Sequence, residues 1–281
     1  MLYKIIHITT YNYSEFVNLD IHIVRLRSRS SSFQSLRAFS LEVTPQPAGI
    51  SDVLDWEGNN TIKLWFTQPT NQLKIKITSE VETHCTNPFN YLLEPWAIQL
   101  PITDYPAPVL AHLAPYLQPI ITPVIVELAQ EIWQQTNGKT VNFLSQLNQR
   151  IYDNCQQTIR ETGDPLPAGI TWNQKLGSCR DMAIIFIEAC RAVGLAARFV
   201  SGYQEGDKNQ KERHLHAWPE VYLPGAGWLG YDPTQGLVVS DRHIALTASA
   251  IPRNAAPISG SFKGFGATSD MQYTLSIETI N

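Results

Sequence analysis

Three residues of this chain have the types and the order that thiol acyl chemistry uses: Cys179, then His216, then Asp232. The cysteine is a nucleophile, the histidine a base that ionises it, and the aspartate an acid that orients the base. Cys179 follows Gly177-Ser178 and precedes Arg180-Asp181, at the head of an apolar run from Met182 to Val193. Ser178 can cap a helix through its hydroxyl, and Asp181, three residues on, can bond back to it. Gly194 supplies a left-handed terminator. A helix apolar on most faces is a buried one. Its first turn offers unpaired N–H groups and the positive end of the macrodipole, and both favour a thiolate. A small buried cysteine that merely packs is the competing explanation for Cys179 taken alone.

The base and the acid must be brought to that helix by other elements. Leu195–Tyr203 reads as a strand from its β-branched and aromatic residues. The polar stretch Gln204–Arg213 has little to bury and reads as an exposed, mobile loop. His214–Leu223 then alternates, turns at Pro224-Gly-Ala-Gly227 and returns as Trp228–Thr234, the pattern of a hairpin. His216 and Asp232 fall on its two arms. A four-residue turn pairing Leu223 with Trp228 would put Asp232 on the wrong face, because side chains alternate. The triad therefore requires an odd-length turn or a bulge, with Pro219 or Gly230 the place for one.

With these motifs in view, Gly-Ser-Cys-Arg-Asp and its apolar helix, Ala197–Tyr203, His216-Ala-Trp218 and Tyr231-Asp-Pro-Thr234 resemble the core of the transglutaminase-like superfamily. More narrowly, the chain is similar to bacterial transglutaminase-like proteins described as candidate cysteine proteases, which carry a β-rich N-terminal domain. The core resemblance covers roughly residues 150–236, and a weaker one runs through Tyr3 to His7 and Tyr11. It implies a papain-like arrangement, with a nucleophile helix packed on an antiparallel sheet. Cys179 corresponds to the nucleophile, His216 to the base and Asp232 to its orienter. Relatives often carry a Gly-Arg-Asp-Tyr-like segment after the core, where this chain has Ser249-Ala-Ile-Pro252. That departure bears on substrate preference and leaves the triad untouched.

At 281 residues, two domains can each bury a core. The expected division is a β-rich domain over 1–100 and a catalytic core over 101–281, the latter carrying a strand near 271–279. The fold class is α+β, with an antiparallel β-sandwich or barrel preceding the papain-like core. A net charge of -4 and a pI near 6.0 argue against nucleic acid as a partner. The densest basic cluster, Arg25-Leu-Arg-Ser-Arg29, reads as a solvated strand edge. No apolar run reaches the roughly 18 residues of a membrane span. The first residues read as a strand and not as a signal peptide, which makes the cytosol the expected location.

Strand-like alternation recurs over Tyr3–Tyr11, Asn18–Leu26, Phe39–Thr44, Asp52–Trp56, Thr61–Phe66 and Leu73–Glu82. Asp55–Asn60 is a turn signal. Recurrent prolines between Pro88 and Pro123 mark an irregular connection, and helical patterns follow over about 123–136 and 140–155. Cys85, Cys155, Cys179 and Cys190 have no metal-ligand spacing. Cys190 would lie about 16 Å from Cys179 along the helix axis, too far for a disulfide, and reads as core packing. His7, His22 and His84 share no common spacing and read as satisfied histidines. No metal or cofactor is expected.

The chemistry expected is attack of the Cys179 thiolate on an amide or peptide carbonyl, giving a thioester. The Cys179 backbone N–H is one oxyanion donor, and a side-chain donor could come from Trp172 or Gln174. Trp218 is a candidate for lining the cleft beside His216. Each tryptophan has simple packing as its alternative role. Water resolving the thioester makes a peptidase or amidase, with a peptide or protein as substrate. An amine resolving it makes a transglutaminase, and a non-enzymatic peptide-binding module on the same fold is a further alternative.

Overall fold

The structure, a computed structural model, describes residues 1–119, 121–206 and 213–280. Residues 207–212, within the polar stretch read as a mobile loop, lie outside the described residues.

From Leu2 to Thr83 the chain runs mainly as strands: β1 (Leu2–Leu19), β2 (His22–Val24), β3 (Gln34–Thr44), β4 (Gly49–Leu54), β5 (Asn60–Trp65) and β6 (Thr70–Thr83). Alternation drives this. In β1 the side chains of Tyr3, Ile5, His7 and Thr9 are buried while those between them are not. The single strand expected over Asn18–Leu26 is instead divided, because the chain changes sheet between β1 and β2. At the turn between β4 and β5, Asp55 Oδ1 accepts from the N–H groups of Glu57 (2.9 Å) and Asn59 (2.8 Å). Gly58 takes the positive φ of 76° there.

Two N-terminal sheets share one core. In the first, β1 lies between β6 and the last strand, β16 (Ser269–Ile280), with β3 beyond β6. In the second, β5 pairs with β4 and β2, and β2 pairs with β14 (Ile258–Ser259). Tyr3, Ile5, Ile75 and Ile77 from one sheet pack with Val24, Ile62 and Leu64 from the other, the layering of a sandwich. The tail strand, expected as part of the catalytic core, joins the N-terminal sheet instead, pairing with β1 from Leu2↔Ile280 to Tyr13↔Ser269. A two-residue strand, β15 (Phe262–Lys263), pairs with the far end of β1. The arginines read as a solvated edge are tied down: Arg25 bonds Ala256 O and Ser259 Oγ, Arg27 pairs with Asp52, and Arg29 bonds Glu57 O. Loop carbonyls draw in Arg25 and Arg29, and a carboxylate draws in Arg27.

The helical part contains α1 (Ala107–Leu117), α2 (Pro123–Gln135), α3 (Thr140–Asn154), α4 (Ala168–Gln174) and α5 (Cys179–Ala192). The proline-rich stretch is therefore less irregular than expected. Pro106 and Pro108 fall at the start of α1, where the missing N–H groups have no helical partner to lose. Between α3 and α5, β7 (Gln156–Gln157) and β8 (Leu176–Gly177) form a short parallel pair that steadies the approach to α5.

A second five-stranded sheet has the order β12 (Leu237–Val238), β11 (Gly227–Asp232), β10 (Leu215–Leu223), β9 (Ala197–Gln204) and β13 (His243–Ser249). One face packs on α5 through Ala197, Phe199, Ala217, Val221, Leu229 and Tyr231. Tyr203, Ile244 and Leu246 join the N-terminal core instead. The free edge of β13 is buried, and two amides complete it. Gln34 bonds both Ala245 N–H and its carbonyl at 2.8 Å, and Asn59 does the same for Ala248 at 2.8 and 2.9 Å.

Candidate active site

Cys179 is the first residue of α5, and Ser178 is its N-cap. The Asp181 carboxylate turns back as expected: its Oδ2 accepts from Ser178 N–H (2.8 Å) and from the Ser178 hydroxyl (2.7 Å). Its Oδ1 accepts from Leu166 N–H at 2.7 Å and pairs with Arg160. The helix is buried from Asp181 to Arg191 and ends in a Schellman motif, with Leu195 N–H on Cys190 O (2.9 Å) and Gly194 N–H on Arg191 O (3.1 Å). Cys190 is buried near that end, away from Cys179. The start of α5 is therefore held on both its chain and its packing sides.

The hairpin closes over an odd number of residues. Leu223 pairs with Gly227 across Pro224, Gly225 and Ala226. Continuing that register sets Asp232 opposite Trp218, so His216 and Asp232 share a face. Gly225 is needed at this turn: its φ is +91°, and a Cβ there would stand 2.3 Å from Leu92 O.

His216 Nε2 and Asp232 Oδ2 are 2.7 Å apart, and both side chains are buried. Asp232 Oδ1 accepts from Thr234 N–H (3.0 Å) and Thr234 Oγ1 (2.6 Å), which fixes the carboxylate plane. With Nε2 engaged, Nδ1 is the ring nitrogen left for the sulfur. The His216 ring and the Ala217 backbone N–H are the groups that act on the Cys179 sulfur to favour its anion. Burial opposes ionisation of Cys179, but the His216 hydrogen bond and charge, with Ala217, outweigh it and lower the thiol pKa. Burial alone would also lower the His216 pKa, but Asp232 and then Cys179 reverse that and push it up to about 10. Burial would raise the Asp232 pKa, yet His216 and His243 hold it well below the usual carboxylate range. The state these shifts favour is a thiolate–imidazolium pair beside a charged aspartate.

Cys179 and His216 open onto a cleft of about 980 Å³. Its far wall includes His7 and Tyr11 of β1 and Tyr273 of β16, so the N-terminal sheet helps to form it. The remaining candidates lie elsewhere. Trp172 is buried in the helical core, with Lys175 Nζ 3.0 Å over its ring. Gln174 is exposed at the end of α4. Trp218 is fully buried behind His216, against Val200 and Ala248. None of the three is among the residues lining the cleft. α4 packs its tryptophan inward, and Trp218 follows the face of His216 into the sheet's covered side. His7, His22 and His84 are each bonded, to Tyr203, Asp20 O and Ser35 respectively.

Sequence reasoning overlooked His243. Its Nε2 lies 3.0 Å from the same Asp232 Oδ2, and the donor atoms of His216, Asp232 and His243 all fall within 4.8 Å of one another. A lone histidine opening a strand gives no spacing signal, because its partner arrives only through the pairing of β9 with β13.

The sequence and the fold both match known proteins. A bacterial transglutaminase-like N-terminal region matches residues 3–82, and the transglutaminase-like superfamily core matches residues 126–233. The chain belongs to the transglutaminase-like superfamily. An uncharacterised protein of Mycobacterium tuberculosis is 30% identical over 92% of this chain and 86% of its own length. A Cytophaga hutchinsonii crystal structure, described as a candidate cysteine protease, shares the fold with a TM-score of 0.75 at 22% identity, covering 100% of this chain and 92% of that one. A Pseudomonas aeruginosa protein-glutamine gamma-glutamyltransferase is 37% identical over 70 residues, 22% of this chain and 10% of its own.

Proposed function

We propose that the protein is a thiol hydrolase that cleaves amide or peptide bonds through Cys179, His216 and Asp232. One observation carries this reading: a cysteine at a helix start shares a cleft large enough for a peptide with a buried imidazole that is itself clamped by a carboxylate.

The Cys179 thiolate attacks the substrate carbonyl carbon, and the carbonyl π pair moves to oxygen. The Cys179 N–H has no acceptor within its own helix, so it is free to bind that oxyanion. Collapse breaks the C–N bond, and the imidazolium of His216 gives its proton to the leaving amine. A water then loses a proton to His216 and attacks the thioester. The products are a carboxylic acid and the regenerated thiolate–imidazolium pair. Asp232 holds the tautomer throughout and takes no proton.

A peptide or protein segment is the substrate class that the open cleft accommodates. Four free cysteines suit a reducing compartment such as the cytosol. A glutamine-containing peptide and a labelled amine, incubated with the protein and with Cys179→Ala, separate the possible outcomes by mass spectrometry. Cleavage or deamidation that needs Cys179 is the expected result. Incorporation of the amine without hydrolysis would replace hydrolysis by acyl transfer, and no covalent turnover across a peptide library would leave a peptide-binding module.

A further inference from the structure

His243 has no task in the mechanism above, yet it makes the fourth hydrogen bond to Asp232. Donation from Nε2 requires the proton on that nitrogen, so a neutral His243 has a bare acceptor at Nδ1. Among the described residues that Nδ1 is buried without a protein partner, and so is the indole Nε1 of Trp218. Both residues border a second cavity of about 50 Å³, distinct from the cleft. One water needs roughly 10–15 Å³ of such space and two or more polar partners. A residue with a spare donor and one with a spare acceptor thus line one small cavity, and a bridging water needs such a pair.

The neighbours preserve this arrangement. The Trp218 indole packs edge-on to the His243 ring, with centroids 5.4 Å apart. Both strands beside Trp218 present glycine to it. A Cβ on Gly202 would stand 2.5 Å from its ring, and one on Gly230 would stand 3.1 Å from Nε1. The charged and titratable groups around His243 are Asp232, His216 and Arg242, with Glu220 and Cys85 across the cavity. Burial lowers the His243 pKa, Asp232 opposes this, and the positive charges of His216 and Arg242 add to the lowering. A leucine would fill the same volume but leave Asp232 Oδ2 with one donor fewer and freer to rotate away from His216.

We propose that His243 is a positioning residue: neutral and Nε2-protonated, it locks Asp232 toward His216, and a water between its Nδ1 and Trp218 Nε1 locks His243 in turn. This rests on the thiolate–imidazolium reading of the triad. The order of hydrogen bonds is then indole to water, water to His243, His243 to Asp232, with His216 and Cys179 on the other side.

Two measurements test it. Histidine ¹⁵N spectra of the intact protein should show His243 as the neutral Nε2–H tautomer from pH 6 to 9, and a charged or Nδ1-protonated ring at pH 7 would overturn the proposal. Iodoacetamide alkylation of Cys179 against pH should place the midpoint of His243→Leu about one unit above the parent, a roughly ten-fold slower reaction on the acid side. His243→Gln, whose amide nitrogen reaches the Nε2 position, should restore the parent profile. A parent-like profile in His243→Leu would refute the role. An ordinary thiol midpoint in the parent itself would count against the thiolate reading, while the tautomer spectrum judges His243 separately and needs no variant to fold.

Discussion

Replacing Cys179 by alanine should alter how stability depends on pH, because it removes one half of a proton balance. In the unfolded chain at pH 7 to 8, Cys179 carries a proton and His216 does not. In the folded protein the shifts favour the proton on the imidazole, since the thiol pKa is lowered and that of His216 is raised to about 10. Each state then holds one proton on the pair, and this pair adds no slope to stability between about pH 6.5 and pH 9. The two contributions have opposite signs. The raised His216 pKa gives stability that is full below about 6.5 and is lost as pH climbs toward about 10. The lowered Cys179 pKa gives stability that is present at high pH and lost as pH falls through the folded value.

In Cys179→Ala only the first contribution remains, held by Asp232. The unfolded state then binds one proton fewer from pH 6.5 upward, and stability should fall by up to about 1.4 kcal/mol per pH unit. Urea denaturation of the variant and the parent at half-unit steps from pH 6 to 9 reads the difference directly. A variant curve parallel to the parent's over that window would show that no proton resides on His216 at the expense of Cys179, and the ion-pair argument would be refuted.

Other perturbations have definite outcomes. Asp232→Asn puts an amide N–H against donors on one side or the other, so His216 should adopt the wrong tautomer. Turnover of a peptide substrate should fall on the order of 10⁴-fold, as in serine triads, with a small residual rate. Gly202→Ala would bring a Cβ within 2.3 Å of Ile244 O and against the Trp218 ring. Thermal unfolding should report a loss of ~1–3 kcal/mol from overpacking. Asp181→Ala removes the carboxylate that braces the N-cap of α5 and leaves Ser178 N–H and Leu166 N–H without their acceptor. A cost of about 3 kcal/mol in unfolding, with slower alkylation of Cys179 at acid pH, is expected.

Sequence patterns revealed most clearly what is local. The apolar run after Cys179, with Ser178 before it and Gly194 after it, specified a capped and buried helix because each signal acts within a turn or two. Alternation likewise exposed β6 and β10. The hairpin register was legible only as a conflict: alternation demanded a turn of odd length, and the three residues between Leu223 and Gly227 supply it. What escaped depended on distant partners. His243 meets Asp232 only because β13 pairs with β9. The arginines near residue 27 looked like a wet edge because the carbonyls and carboxylates they bind lie far along the chain. Prolines that read as an irregular link proved compatible with α1 because they cluster at its first turn, although Pro115 sits within it. Trp172, Gln174 and Trp218 were near the chemistry in sequence, but side-chain direction turned each away from the cleft.

The pairing of β1 with β16 has a consequence for how the molecule can be made and dissected. The sheet that begins at Leu2 waits for residues 269–280 before its central strand is flanked on both sides. During synthesis that margin of β1 stays open until α1 to α5 and the second five-stranded sheet have all emerged. A single cut near residue 100 therefore cannot yield two self-sufficient pieces: one fragment would expose a bare strand edge, and the other would trail the strand that covers it.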